Sequence, residues 1–114
     1  MEKNSLLKLV FCVFLFSSAI GNALTIKEAE EKANQVCAAC HGKDGVNGVL
    51  PSYPILAGQY SDYLNQALMD YKSGARKNAV MGGIAATLSK EEMAGLARYF
   101  ASLPPPLNDK NRKD

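Results

Sequence analysis

Two cysteines and a histidine stand close together in the segment Cys37-Ala38-Ala39-Cys40-His41. Residues three apart on a helix lie on the same face, so one helical turn would present both thiols in one direction. The histidine directly after the second cysteine would project its imidazole from the same turn. This order is the sequence form of a c-type haem attachment site, in which the sulfurs bond to vinyl groups on one porphyrin edge and the imidazole binds iron.

Three other kinds of site also use two nearby cysteines. A structural disulfide between Cys37 and Cys40 would suit an exported protein, but it gives His41 no role. A thioredoxin-like dithiol is expected beside a βαβ pattern, which the sequence lacks. A zinc site needs four ligands, and beyond residue 23 the chain offers only two cysteines and one histidine. Covalent attachment of one haem c through Cys37 and Cys40 is therefore the prediction.

The second axial ligand of such an iron has to come from another residue type, because His41 is the only histidine. Methionine is an established partner of histidine at haem iron. Met69 falls outside the apolar stripe of its predicted helix, and Met93 belongs to a predicted buried stripe. Met81 lies beside two glycines in a predicted loop, where the backbone approaches a flat cofactor closely. Met81 is therefore the predicted ligand, and a core-filling role is the alternative.

Three amphipathic segments predict the helices that must position these residues. The first starts at a capping box over residues 25–28 and runs towards the cysteines, with Gly42 able to end it. The second starts at Ser61 and closes at Gly74. The third starts at a capping box over residues 89–92 and has the clearest helical spacing of apolar residues, at Met93, Leu96, Ala97 and Phe100.

No stretch alternates as a strand does, so the predicted fold class is all-α. The segments 43–59 and 76–87 hold several glycines or prolines and are predicted as two long loops, a length that indicates a function. Among the aromatic residues, Tyr63, Tyr71 and Tyr99 are predicted to be core residues and not an electron path.

The N-terminal segment predicts a secretory signal peptide. Two lysines precede an apolar run over residues 9–20, and the small residues 21–23 follow, so we expect cleavage after Ala23. The run is shorter than the roughly 20 residues that a membrane-spanning helix needs, which disfavours an uncleaved anchor. Cys12 is discounted as a lipidation site because bulky Phe11 precedes it.

The mature chain is predicted to form one domain over residues 24–103, followed by a flexible tail over residues 104–114. Three consecutive prolines, residues 104–106, stop the last helix. The net charge of the full chain is only +2, with no block of like charge before the tail. This balance gives no reason to expect a nucleic-acid partner, and no stable membrane insertion is expected after processing.

From residue 26 to residue 103 the chain resembles class I c-type cytochromes, specifically the small single-haem cytochromes c of the bacterial periplasm. The resemblance lies in residues 36–42, 53–59 and 76–81 and in the final helix. It implies a cytochrome c fold, with three main helices wrapped around one covalently bound haem. It also implies a soluble, non-enzymatic electron carrier that meets a quinol-oxidising complex and a terminal oxidase or reductase.

The resemblance also suggests roles for residues around the haem. The methionine ligand of the family lies just before the last helix, as Met81 does. A proline carbonyl in the family accepts the outer ring N–H of the ligand histidine, and the matching residue is Pro54, with Pro51 as a nearby rival. Leu56 is then expected to pack against the porphyrin. Residues 76–78 stand where the haem propionates could be met, although solvated surface charge would also explain a lysine there.

Two other functions stay open at this point. One is a haem enzyme or gas-binding sensor whose sixth ligand is labile, and the other is the electron-transfer subunit of a larger oxidoreductase. Histidine–methionine ligation would favour ferrous iron and leave no open position, which separates a carrier from a haem enzyme.

Overall fold

The computed structural model describes residues 21–106. Residues 1–20 of the predicted signal peptide (1–23) and residues 107–114 of the predicted tail (104–114) therefore lie outside the described residues. Within residues 21–106 the chain forms helices and no strand, which confirms the all-α prediction. No helix of this part is long and apolar enough to cross a membrane. The helices are α1 (Ile26–Val36), α2 (Ala38–His41), α3 (Ser61–Ser73), α4 (Ala79–Ala86) and α5 (Lys90–Ser102).

Helix α1 starts at the predicted capping box. The Thr25 hydroxyl accepts from the Glu28 amide at 3.2 Å, and the Glu28 carboxylate accepts from the Thr25 amide at 2.8 Å. These bonds satisfy donors that the first helical turn leaves unpaired. Cys37 separates α1 from the short α2. Gly42 caps the C-terminal end of α2, and its φ of 81° suits a residue without a side chain.

The core lies where α5 packs against α1 and α3. The predicted apolar stripe of α5 is confirmed, since its four residues are between 1 and 3% exposed. On α1 the facing residues are the small Ala29 and Ala33, which are 0 and 2% exposed. Helix α5 ends at Ser102, and Leu103 has the extended conformation that a following proline imposes.

Helix α5 is closely packed at Gly95, against Leu24 in the segment before α1 and against Ala29 of α1. A Cβ atom added there would lie 3.0 Å from Leu24 Cβ and 3.5 Å from Ala29 Cβ. We expect Gly95→Ala to lower the free energy of unfolding by up to about 2 kcal/mol, because the cost of overpacking, about 1–3 kcal/mol, exceeds the gain of about 1 kcal/mol in helix propensity. Chemical denaturation of the purified protein measures this change.

Gly83→Ala is the matched control for that substitution. Gly83 lies in α4, and nothing lies within 4 Å of its added Cβ. The same chemical change should therefore raise the free energy of unfolding by up to about 1 kcal/mol, because alanine has the higher helix propensity. Equal destabilisation by both substitutions would contradict the close packing at Gly95.

An acidic side chain ties the start of α5 to α1. The Glu92 carboxylate lies 2.7 Å from Lys32 Nζ and accepts from the Ser89 amide at 2.9 Å, within the predicted second capping box. The hydrogen bond from Lys32, followed by that from the Ser89 amide, lowers the pKa of Glu92 below its ordinary 4.5. Because the folded-state pKa is the lower one, the carboxylate stabilises the fold above the ordinary value. That contribution is lost as the pH falls through the folded-state pKa.

Glu92→Gln should therefore change both the size and the pH dependence of stability. At neutral pH the free energy of unfolding should fall by up to about 1 kcal/mol, because glutamine keeps the capping-box acceptor but loses the ion pair with Lys32 and the negative charge at the helix N-terminus. Below the ordinary glutamate pKa its decline with falling pH should become shallower than in the wild type. Urea unfolding at a series of pH values measures both. Glu31→Gln, at an exposed position of α1, is the control, and an unchanged slope in Glu92→Gln would contradict the coupling.

The segment that carries Met81 differs from the prediction. Residues 76–87 were expected to form a loop, but most of them form α4. Asn78 starts this helix, because its side chain accepts from the amides of Val80 and Met81, both at 3.0 Å. Gly82 and Gly83 each cost about 1 kcal/mol in helix propensity, and for this reason the sequence predicted a loop here and not a helix. Asn78 as a helix cap was the signal that indicated it.

Two residues of α3 also differ from their predicted environments. Tyr63 is 50% exposed, so it is not a core residue, and Tyr71 is half-buried. Tyr99 of α5 is buried, as predicted. Met69, which was predicted to face away from the apolar stripe, packs against the core. The core reaches further round α3 than its apolar spacing indicated, because α5 and α4 both contact this helix.

Candidate functional site

The two cysteines and the histidine of the motif share one helical turn. The Cys37 carbonyl accepts from the His41 amide at 2.9 Å and from the Cys40 amide at 3.2 Å. No disulfide joins the two cysteines, and both are half-buried. The turn is therefore short and regular, and it places both sulfurs and the imidazole within one local unit.

The electrostatics of Cys37 oppose a thiol redox function. Burial raises the pKa of the Cys37 thiol to about 11, and the neighbouring Cys40 adds to the rise. Redox-active cysteines in such motifs have lowered pKa values, because the thiolate is the reactive form. The all-α fold of the described residues also lacks the βαβ unit that accompanies a thioredoxin-like site.

His41 is 8% exposed, and its ring has a defined tautomer. Its Nδ1 atom lies 3.0 Å from the carbonyl oxygen of Pro54. A carbonyl only accepts, so Nδ1 carries the proton and donates, and Nε2 is the nitrogen available to a metal. The Tyr53 ring lies beside the imidazole, with 6.0 Å between centroids. The structure thus brings Pro54, and not the exposed Pro51, to the histidine.

Backbone hydrogen bonds fasten the loop between α2 and α3 over this turn. The Gly45 carbonyl accepts from the Leu56 amide at 2.8 Å and from the Ala57 amide at 3.2 Å. The Cys40 carbonyl accepts from the Val49 amide at 3.0 Å. Pro54 and Leu56 are therefore held in place by the same loop, and this accounts for the length of the segment.

One cleft of about 510 Å³ joins these groups, a volume within the range of about 300–1,000 Å³ typical of small-molecule sites. Every site residue predicted from the sequence lines it: Cys37, Cys40, His41, Pro54, Leu56 and Met81. The rest of the wall is mainly aliphatic and aromatic, and it includes Leu64, Ala67 and Leu68 of α3, Val80 and Ile84 of α4, and Leu96 and Phe100 of α5. Val80 and Ile84 were not predicted as site residues, because their segment was expected to be a loop.

An arginine stands on the wall of this cleft between two tyrosines. The Arg76 guanidinium donates to the Tyr63 hydroxyl at 3.3 Å and lies 5.1 Å from the centroid of the Tyr71 ring. These contacts, the Tyr63 hydrogen bond first, raise the pKa of Arg76. Within residues 21–106 no carboxylate lies within 4.0 Å of it. Lys77 does not line the cleft, and Asn78 does so but caps α4.

These residues fit haem c. Two thiols on one turn suit thioether attachment, a neutral imidazole and a thioether suit iron, and the apolar walls suit a porphyrin. The Arg76 cation, which forms no ion pair within the described residues, suits the propionate edge of the haem. Within the described residues, no three His, Cys, Asp or Glu side chains are grouped to hold a metal ion, so zinc finds no ligand set.

Comparisons with known proteins agree with this site. The family model described as cytochrome C oxidase, cbb3-type, subunit III matches residues 24–100. Cytochrome c4 of Thiocapsa roseopersicina is 45% identical over 75 residues, which are 66% of this chain and 38% of that protein. A thiosulfate dehydrogenase electron acceptor of Stutzerimonas stutzeri is 37% identical over 78% of this chain and 41% of its own length.

A solved structure shares the fold. The crystal structure of reduced recombinant cytochrome c4 from Pseudomonas stutzeri matches with a TM-score of 0.62 and 29% identity, over 69% of this chain and 48% of the other. The chain thus spans about two fifths of the length of the two relatives above and about half of this structure. Because the family model covers most of the chain and the cleft fits its cofactor, the chain belongs to this cytochrome c family and carries haem c bound through Cys37 and Cys40.

Proposed function

We propose that the chain is a soluble one-electron carrier in which His41 and Met81 would hold the haem iron. The observation that carries the proposal is that the imidazole and the thioether line the same cleft from different elements, α2 and α4. Haem c bound there would supply one-electron chemistry. The relatives named as cytochrome c4 and as an electron acceptor support the same role.

The residues of the cleft have separate tasks in this proposal. Pro54 fixes the tautomer of His41 and raises its basicity as a ligand through the Nδ1 hydrogen bond. The soft thioether of Met81 favours the ferrous state and so raises the reduction potential. Leu56 and the apolar walls exclude water. Arg76 meets the acidic edge of the cofactor. With His41 and Met81 both holding the iron, no position would be left open for oxygen or peroxide.

The location and the partners belong to the proposal as well. The predicted signal peptide over residues 1–23 supports a periplasmic location, and the mass of the exported protein would test cleavage after Ala23. A domain over residues 24–103 and a flexible tail beyond it are proposed with it. The partners proposed are redox proteins: a quinol-oxidising complex or a dehydrogenase as donor, and a terminal oxidase or reductase as acceptor. The full chain has a net charge of only +2, and cleavage after Ala23 would leave about +1, which implies weak electrostatic steering towards them.

Carbon monoxide added to the reduced, purified protein tests the closed site. The proposal predicts sharp low-spin bands that the gas leaves unchanged at neutral pH, because Met81 occupies the sixth position. Bands that shift would indicate an open iron and favour a haem enzyme or a gas sensor. Purification in stoichiometric amounts with a second protein would favour a fixed subunit of a larger oxidoreductase.

A further inference from the structure

Helix α4, which presents Met81, is weakly held along its length. Of its residues only Ala85 is buried, and Val80 is 62% exposed. Its eight residues are fewer than the roughly 12–15 that an isolated helix needs in water, and two of them are glycines. Its principal helical neighbour is α3. The position of Met81 therefore depends on how the two ends of α4 are fixed.

The N-terminal end of α4 is fixed by its own sequence. Asn78 caps it through the amides of Val80 and Met81. The segment before the cap is tied to the end of α3, because the Arg76 amide donates to the Asp70 carbonyl at 3.0 Å. Both of these contacts are made near the N-terminal end of α4 and leave its C-terminal end to other contacts.

The C-terminal end of α4 is capped locally by Thr87, whose hydroxyl donates to the Ile84 carbonyl at 2.7 Å, and the chain just beyond it is tied to α3. Helix α4 has no basic residue in its last turn, although cations are favoured at that end of a helix. Lys72 of α3 brings a cation to the junction that follows α4: its Nζ donates to the backbone carbonyl of Leu88, which lies between the C-cap residue of α4 and the N-cap residue of α5. Leu88 itself is 2% exposed and anchors the chain in the core. The ammonium of Lys72 also contributes to lowering the pKa of Glu92, which places its charge near the junction of α4 and α5.

We propose that Lys72 is a positioning residue for the sixth ligand, holding the C-terminal end of α4 against α3 and thereby Met81 at the cleft wall. This inference rests on the proposed ligation by Met81. Removing the bond increases the population of conformers in which Met81 is withdrawn. An added ligand captures only those conformers, so its apparent dissociation constant falls in proportion to their increase.

Imidazole titration of the ferric, haem-loaded protein reads out that population. Lys72→Met keeps the apolar stem and removes the donor. Its apparent affinity for imidazole should rise at least about ten-fold, because losing a hydrogen bond to a charged group costs a factor of that size. Lys72→Arg retains a donor and should return the affinity close to the wild-type value.

Two further variants distinguish the positioning of Met81 by Lys72 from the loss of any surface lysine and from a general loss of stability. Lys90 lines the same surface cavity as Lys72, and within the described residues it makes no hydrogen bond to α4. Lys90→Met should leave imidazole affinity within about two-fold of wild type, as surface substitutions do. Gly95→Ala lowers global stability far from α4, so it shows how much imidazole binding a loosened core alone allows.

Each outcome decides the inference. A selective rise in Lys72→Met, absent in Lys90→Met and larger than in Gly95→Ala, supports it. Unchanged affinity in Lys72→Met, or a rise no larger than in Gly95→Ala, overturns it while leaving Met81 as ligand. A wild-type reduced protein that binds carbon monoxide readily would overturn the Met81 ligation and this inference together.

Discussion

Met81→Leu should open the sixth coordination position of the iron while leaving the haem attached. Leucine has nearly the volume of methionine but no thioether, so the packing of α4 is conserved and only the ligand is lost. The reduction potential should fall by on the order of 0.1 V or more, since axial ligands set haem potentials over a span of about 0.8 V. Redox titration measures the fall, and carbon monoxide binding to the reduced protein reports the open position.

Met69→Leu is the matched control for this prediction. Met69 packs against the core from α3 and does not line the cleft, so the same substitution should leave potential and gas binding unchanged. If Met81→Leu kept wild-type low-spin bands and ignored carbon monoxide, Met81 would not be the ligand. If Met69→Leu opened the iron instead, the assignment within the cleft would be wrong.

The second large effect is expected from Cys37→Ala combined with Cys40→Ala. Without either thiol no thioether forms, so covalent haem should be absent. The apolar cleft would then lose the group that its walls pack against. The stability of a small domain is only about 5 kcal/mol or somewhat more, and a core of this size often needs such a staple. The double variant should therefore lose cooperative thermal unfolding.

Two measurements check this prediction separately. Mass spectrometry after acid extraction of loose haem reports covalent attachment, and circular dichroism during heating reports folding. Ala39→Ser is the control, because Ala39 lies between the cysteines, is exposed and does not line the cleft. It should keep both haem and the melting transition. A native-like cooperative melt in the double variant would show that the polypeptide folds without its cofactor.

Local patterns with a single physical cause were predictable from the sequence. The two capping boxes need only a hydroxyl and a carboxylate three residues apart, and both form where they were expected, at Thr25 and Ser89. The stripe of α5 follows from helical spacing alone. Residues 37–41 form the expected single turn, because an ordinary helical hydrogen bond closes it.

Features that depend on neighbouring elements were not predictable. Helix α4 is poor in intrinsic propensity and forms because Asn78 and the packing against α3 stabilise it. Tyr63 has the spacing of a buried residue, yet it faces the cleft, where Arg76 binds its hydroxyl. Periodicity shows which side of a helix is apolar, but it does not distinguish a side chain that packs in the core from one that lines a cofactor cleft.

The measurement that tests the central claim most directly is the visible spectrum of the purified exported protein as a function of applied potential. One-electron transfer by an iron held between His41 and Met81 predicts sharp low-spin haem bands. These bands should convert reversibly in a single transition with a slope of about 59 mV per tenfold change in the ratio of the two states. A protein without haem bands, whose only redox change is a two-electron couple between Cys37 and Cys40 at about half that slope, would contradict the account.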